Sequence, residues 1–279
     1  MAKSLSGKRA LLTGASRGLG VYIARALAGE GAELVLAARD VEKLDATARE
    51  CAALGARVTR LAADVRDAGD RARLVRDAGE LDVVVNNAGV ETTLRLVDQS
   101  EAEVRAQIET NLLAPIELTR AVLSGMIARG GGAIVNVSSM SGKGATPYNS
   151  VYAATKYGLN GFTASIAVEL HGTGVHVGVV CPGFVAESGM WASTGVAAPA
   201  AMREVRPERV ARAVLEVIDG KGQVLVTRAP IRPLLALREL VPGLEGSLLR
   251  RLGIVRALAE RAERAERAER AERAERAER

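Results

Sequence analysis

The chain has 279 residues, 48% of them hydrophobic and only 3% aromatic, with a formal net charge of +5. That length admits one large domain or two small ones, and a core of Ala, Val, Leu and Ile suits buried strands alternating with helices better than an aromatic-rich sandwich or barrel. The modest charge and the absence of aromatics among basic clusters argue against a nucleic-acid partner, and no apolar run approaches the ~20 residues of a membrane-spanning helix.

The opening segment, MAKSLSGKRALLTG, is basic, but its apolar run is too short for a secretory leader. Cys51 and Cys181 lie far apart without ligand spacing, which predicts neither a disulfide framework nor a metal site and points to a reducing, cytoplasmic setting.

The first expected strand, KRALLT (8–13), runs into TGASRGLG, Thr13 to Gly20, which opens a helix near 18–29. Glycines there let the chain turn tightly and bring backbone N–H groups up to a pyrophosphate at a helix N-terminus. Three glycines alone also suit an ordinary turn; their place after the first strand of a parallel sheet favours a dinucleotide. The second strand, AELVLAA (32–38), ends at Arg39, with Asp40 one place on. A carboxylate at that point accepts from an adenosine ribose, whereas an arginine meets the 2′-phosphate of NADP. Arg39 and Arg17 therefore read as NADP(H) in preference to NAD(H), the competing view being two solvated arginines.

A helix near 41–54 and a strand at 57–63 lead to Asp64 and Val65, and a helix near 67–78 and a strand at 81–87 lead to NNAG (86–89). Both are ordinary turn residues taken singly; their interest is their place at the carboxyl edge of the sheet, where ligands bind. A long helix at 101–129, a strand at 132–138, a helix at 150–171, a strand at 175–181, a helix at 207–219 and a strand at 223–228 complete an α/β pattern. The alternation predicts a doubly wound parallel Rossmann sheet of about seven strands with helices on both faces, over residues 1–228.

The stretch SSMSGKGATPYNSVYAATK (138–156) holds three serines and two tyrosines that could do chemistry. Of the four tyrosines in the chain, only Tyr152 has a lysine four residues on, so Tyr152 and Lys156 share a helix face. A nearby ammonium favours the phenolate and makes a tyrosine a usable acid/base, although this spacing is more often a surface pair.

Together TGASRGLG, NNAG, Asn111 in TNLLAP, IVNVSS, YAATK and the Cys181–Gly183 CPG resemble the short-chain dehydrogenase/reductase family, in its order and spacings, from about residue 6 to 228. The resemblance implies an oxidoreductase interconverting a carbonyl and an alcohol. It selects Ser139, thirteen residues before Tyr152, over Ser138 and Ser141. The implied roles are proton exchange by Tyr152, a hydrogen bond from Ser139 to the substrate oxygen, and support from Lys156, which lowers the tyrosine pKa and holds the nicotinamide ribose. Asn111 is implied to support a proton relay. Cofactor contacts are implied for Gly14, Ser16, Arg17, Gly18, Leu19, Gly20, Arg39, Asp64, Val65, Asn87, Ala88, Gly89, Tyr152, Lys156, Pro182, Gly183 and Val185. Glu187 stands where the family commonly has a threonine, with Ser188 as a substitute beside it; Glu187 is expected to face solvent.

The family also implies a homo-oligomer, a dimer or tetramer packed through the long helices. Pocket walls from Val90, Glu91, Met140, Phe184, Met190 and Trp191 favour a hydrophobic small-molecule carbonyl or alcohol, such as a lipid, steroid or acyl-chain ketone; a 3-ketoacyl thioester stays open. A non-catalytic dinucleotide-binding scaffold is the rival from another class. His171 and His176 read as structural, and no metal is expected.

Residues 229–258 read as short amphipathic helices alternating Leu with Arg, able to pack on their own domain or touch a membrane peripherally. Residues 259–279 are seven Ala-Glu-Arg repeats, expected as a solvated helix with Glu260–Arg264 pairs and no specific role.

Overall fold

The computed structural model describes residues 4–188, 190–191, 196, 198, 204–228, 230–241 and 243–277. Seven parallel strands form one sheet in the order β3-β2-β1-β4-β5-β6-β7: β1 Arg9–Thr13, β2 Glu33–Ala38, β3 Val58–Ala62, β4 Val83–Asn86, β5 Gly132–Val137, β6 Val175–Pro182 and β7 Gln223–Val226. The order reverses between β1 and β4, and the crevice at their carboxyl ends is where an open sheet of this kind takes a ligand.

Alternate residues of each strand enter different cores. Leu12, Leu34 and Val135 pack with α1 (Leu19–Gly29), α2 (Val41–Ala53) and α7 (Pro207–Ile218). Leu11, Val35 and Ile134 pack on the other face with α3 (Ala68–Ala78), α5 (Ala114–Ala128) and α6 (Ser150–Glu169). Burial on both faces is why these strands read as nearly unbroken apolar runs. Short polar side chains stop the helices from fraying: Asp40 caps α2, Asp67 caps α3, and Ser100 forms a capping box with Glu103 at the start of α4 (Glu101–Ile108).

The helix expected over 101–129 is two helices, α4 and α5, joined by a π-turn at Glu109–Leu113. Pro115 explains the break. It has no N–H to give the carbonyl of Asn111 four residues earlier, so the regular ladder cannot pass through.

Beyond β7 the chain forms α8 (Arg232–Leu240), α9 (Leu244–Arg251) and α10 (Ile254–Ala277). Helix α10 runs without interruption from the last apolar residues into the Ala-Glu-Arg repeat. Ile254, Leu258, Arg261 and Ala262 are buried along one face of it, and Ile254 and Leu258 pack with Trp191 and Val196. The outer face carries the expected Glu260–Arg264 ion pair, at 2.7 Å. No helix among the described residues is long and apolar enough to cross a membrane.

Candidate functional site

The glycine loop is tied to the turn after β4 before any ligand is considered. Thr13 Oγ1 accepts from the backbone N–H groups of Asn87 and Ala88, both at 3.1 Å. Asn87 Nδ2 returns bonds to the carbonyls of Thr13 and Gly14 at 3.0 and 3.1 Å. Gly14 has φ +66, and a Cβ there would stand 2.8 Å from Ala88 Cα. A Cβ on Gly20 would meet the Gly14 carbonyl oxygen at 2.1 Å. Gly18 opens α1 with no side-chain cap and no acidic residue in the first turn. The N–H groups there are left for an anion.

At the adenosine end, Arg17 and Arg39 both line the cavity. Asp40 lines it too, but its carboxylate accepts from Lys43 N at 3.0 Å and pairs with Lys43 Nζ at 2.7 Å, contacts that hold it below the usual carboxylate range. Asp64 is gripped by Arg66 at 2.6 Å and lies 3.8 Å from Arg39; the Arg66 hydrogen bond is what chiefly lowers its pKa.

At the other end the cavity reaches Ser139, Tyr152 and Lys156. The backbone turns at Ser139, whose Oγ accepts from Ser141 N at 3.1 Å. Ser138 is engaged elsewhere: its Oγ donates to the Lys156 carbonyl at 3.3 Å. The Lys156 ammonium donates to the Val137 carbonyl at 2.9 Å and lies 5.5 Å from the centre of the Tyr152 ring. Burial pushes Lys156 down to about 8.

The sequence leads one to expect an ammonium that lowers the Tyr152 pKa. Instead burial first, and the Glu91 charge second, push this phenol well above its ordinary value, opposed by the Ser139 hydroxyl and the Arg261 guanidinium. A phenol lost from water favours its neutral form, and here that outweighs the nearby cations.

Two expected site residues lie outside the cavity wall. Gly20 is packed beneath Gly14, where the missing side chain lets the loop fold back on α1. Asn111 is fully buried in the π-turn. Its Nδ2 donates to the Val90 carbonyl and its Oδ1 accepts from Val90 N, both at 2.8 Å, so the side chain clamps the turn after β4. The other expected contacts, Gly14, Ser16, Arg17, Gly18, Leu19, Arg39, Asp64, Val65, Asn87, Ala88, Gly89, Pro182, Gly183 and Val185, all line the cavity.

The expected lid, 184–206, falls partly outside the described residues. Glu187 is exposed, at φ +58. Ser188 lines the cavity with its Oγ buried and without a partner.

One contributor was not expected. Arg261, the first arginine of the Ala-Glu-Arg repeat, reaches the cavity from α10. It donates to both oxygens of Glu91, at 2.8 and 2.9 Å, and to the Met190 carbonyl at 3.0 Å. Both partners of this ion pair are 8% exposed. Asn149 adds a third bond to the carboxylate, at 2.7 Å, and the guanidinium lies 5.3 Å from the Trp191 ring centre. The signal that could have found it is spacing: Ile254, Leu258 and Arg261 share one helix face.

The whole forms one cavity of about 1110 Å³, from the glycine loop to α10. The parallel sheet, the uncapped glycine loop at its switch point and a serine, tyrosine and lysine beside one another define a dinucleotide-binding oxidoreductase fold. Residues 8–197 match the short chain dehydrogenase family. The chain belongs to that family, whose members use a nicotinamide dinucleotide.

Among similar proteins, the ketoacyl reductase HetN of Nostoc sp. (strain PCC 7120) is 42% identical over 269 residues, 93% of this chain and 94% of its own. Dehydrogenase/reductase SDR family member 7B of Bos taurus is 32% identical over 90% of this chain and 82% of its own. Coverage of that extent takes in residues beyond 228 in both cases. Of solved structures, a metagenomic short-chain oxidoreductase in complex with NADP is 38% identical with a TM-score of 0.69, covering 80% of this chain and 98% of its own. A short-chain type dehydrogenase/reductase from Mycobacterium marinum is 28% identical with a TM-score of 0.73, covering 80% and 95%.

The residues present suit the cofactor. The N–H groups opening α1 can take the pyrophosphate, the glycines leave room for it, and the orphaned Ser188 hydroxyl is a ready partner for a polar group at the nicotinamide end.

Proposed function

We propose that the protein is an NADP(H)-dependent oxidoreductase interconverting a carbonyl and a secondary alcohol on a hydrophobic substrate. The observation that carries this is the convergence of Ser139, Tyr152 and Lys156 on the wall of one mostly apolar cavity, with the tyrosine and the lysine buried. The dinucleotide, when bound, supplies or takes the hydride. Tyr152 gives its proton to the carbonyl oxygen in reduction and recovers it in oxidation. Ser139 holds that oxygen by a hydrogen bond. Lys156 keeps a positive charge beside the phenol and is free to hold a cofactor hydroxyl. Asn111, to which the family resemblance gives a proton relay, holds the turn after β4 in place beside the site. A phenol held neutral by burial carries the proton that reduction of a carbonyl requires, and must lose it before an alcohol can be oxidised.

Arg17 and Arg39 at the adenosine end support NADP(H), since Asp40 is drawn away by Lys43. A 3-ketoacyl thioester is the second reading, favoured by the name of the Nostoc relative. The test is Tyr152→Phe. Turnover of NADPH with hydrophobic ketones should fall by about 10²–10⁴ while NADPH still binds. Undiminished turnover overturns the assignment.

A further inference from the structure

The family match ends at residue 197, yet much of the cavity wall comes from 230–261. Helix α8 contributes Leu234 and Leu235, α9 contributes Leu248 and Leu249, and Leu252 and Leu258 complete the wall toward and within α10. The charged side chains these helices bring to the cavity are turned onto the Rossmann core. Arg238 donates to the Lys143 carbonyl and, at 2.5 Å, to the Tyr157 hydroxyl. Glu245 accepts from Ala145 N at 2.6 Å. Arg261 is held by Glu91. The polar groups therefore latch the helices to the loop after β5 and the turn after β4, and the leucines are left facing the cavity. Leu237 is 45% exposed while lining it, so this side opens to solvent.

We propose that α8–α10 form a second compartment of the substrate site, which takes a long alkyl tail attached to the carbonyl served by Tyr152. A sugar or phosphate there would lose its hydration to leucines that return no hydrogen bond. An alkyl tail gives up no hydrogen bond and gains with each methylene that it buries. The inference rests on the proposed reading of Tyr152 but concerns residues outside the family's common segment.

The test uses the full chain with NADPH and two ketones, 2-dodecanone and 2-butanone, and follows the emission of Trp191, the single tryptophan, which lines the cavity. The wild type should prefer 2-dodecanone by at least about a hundredfold in kcat/KM. Leu235→Asn and Leu248→Asn should each lower that value about tenfold for 2-dodecanone and less than about twofold for 2-butanone. Both leucines are half-buried and outside the cluster around Trp191, so the fold tolerates the change; an unshifted thermal midpoint checks this. Equal losses on both ketones, or no preference for the longer one, overturn the compartment while leaving the reading of Tyr152 intact. If neither ketone turns over but 2-dodecanone shifts the Trp191 emission, and less so in the variants, the compartment stands and the catalytic reading falls. With neither turnover nor an emission change, both fall.

Discussion

Arg261 holds Glu91 by two hydrogen bonds, at 2.8 and 2.9 Å, across 170 residues of sequence. The pair joins the last helix to the turn beside the proposed acid, with both side chains buried. Breaking such a pair leaves an uncompensated charge and costs about 3–5 kcal/mol. Arg261→Met should lower stability by that order in denaturant titration, and Glu91→Leu combined with Arg261→Met should recover most of it. The pair also acts on the phenol: Glu91 raises the Tyr152 pKa and Arg261 opposes it. Alcohol oxidation needs the phenolate. Its alkaline rise should therefore move to higher pH in Arg261→Met and to lower pH in Glu91→Gln, in profiles of kcat/KM. Identical profiles would reduce the pair to a purely structural link.

Arg17, in the glycine loop, and Arg39, at the end of the second strand, both line the cavity, and Arg39 lies 3.8 Å from Asp64. Replacing either with Ala should weaken NADPH binding by about tenfold or more, a charge-assisted contact being worth roughly 1.5–3 kcal/mol. NADH binding should barely change. Equal effects on the two cofactors would place the arginines away from the 2′-phosphate.

Gly20 and Gly29 stand in the same helix and should respond oppositely to alanine. A Cβ at Gly20 has no room before the Gly14 carbonyl, whereas at Gly29 nothing lies within 4 Å and the site is exposed. Gly20→Ala should disrupt the loop, lowering both stability and dinucleotide affinity. Gly29→Ala should add up to about 1 kcal/mol through helix propensity and leave binding unchanged. Thermal midpoints and NADPH fluorescence titration measure both.

The sheet was legible because strands covered on both faces, such as LVLAA at 34–38, carry little but apolar residues. Seven strands and most helices fall within a residue or two of the expected positions. The π-turn was not legible, since the apolar pattern persists through 101–128 and only Pro115 marks the break. For the candidate site, spacing singles out Tyr152 and Lys156 and the family resemblance adds Ser139, and all three line one cavity. Spacing could not show that Asn111 would turn its amide onto Val90, or that burial would raise the Tyr152 phenol, because both depend on what packs around them. Arg261 stayed hidden for another reason. A three-residue repeat makes each arginine look alike, so only its place on the helix face of Ile254 and Leu258 hints at the first, and docking against Trp191 and Glu91 sets it apart.

Lys156 makes stability depend on pH in a direction that can be worked out. Burial lowers its pKa in the folded chain from 10.5 to about 8. Below pH 8 both folded and unfolded chains hold the proton, and the full cost of burying an ammonium is present. Between pH 8 and 10.5 the unfolded chain binds more protons, so stability rises with pH. Above 10.5 neither state is charged and the cost is gone. A shift of this size corresponds to about 3 kcal/mol. Lys156→Met should therefore make the cofactor-free protein more stable at pH 7 by up to that amount, with the advantage shrinking toward pH 10.5. Urea titrations of wild type and variant across this range measure the difference. An advantage that stays constant with pH would mean that the ammonium titrates alike in both states, and that the 2.9 Å bond to the Val137 carbonyl offsets its burial.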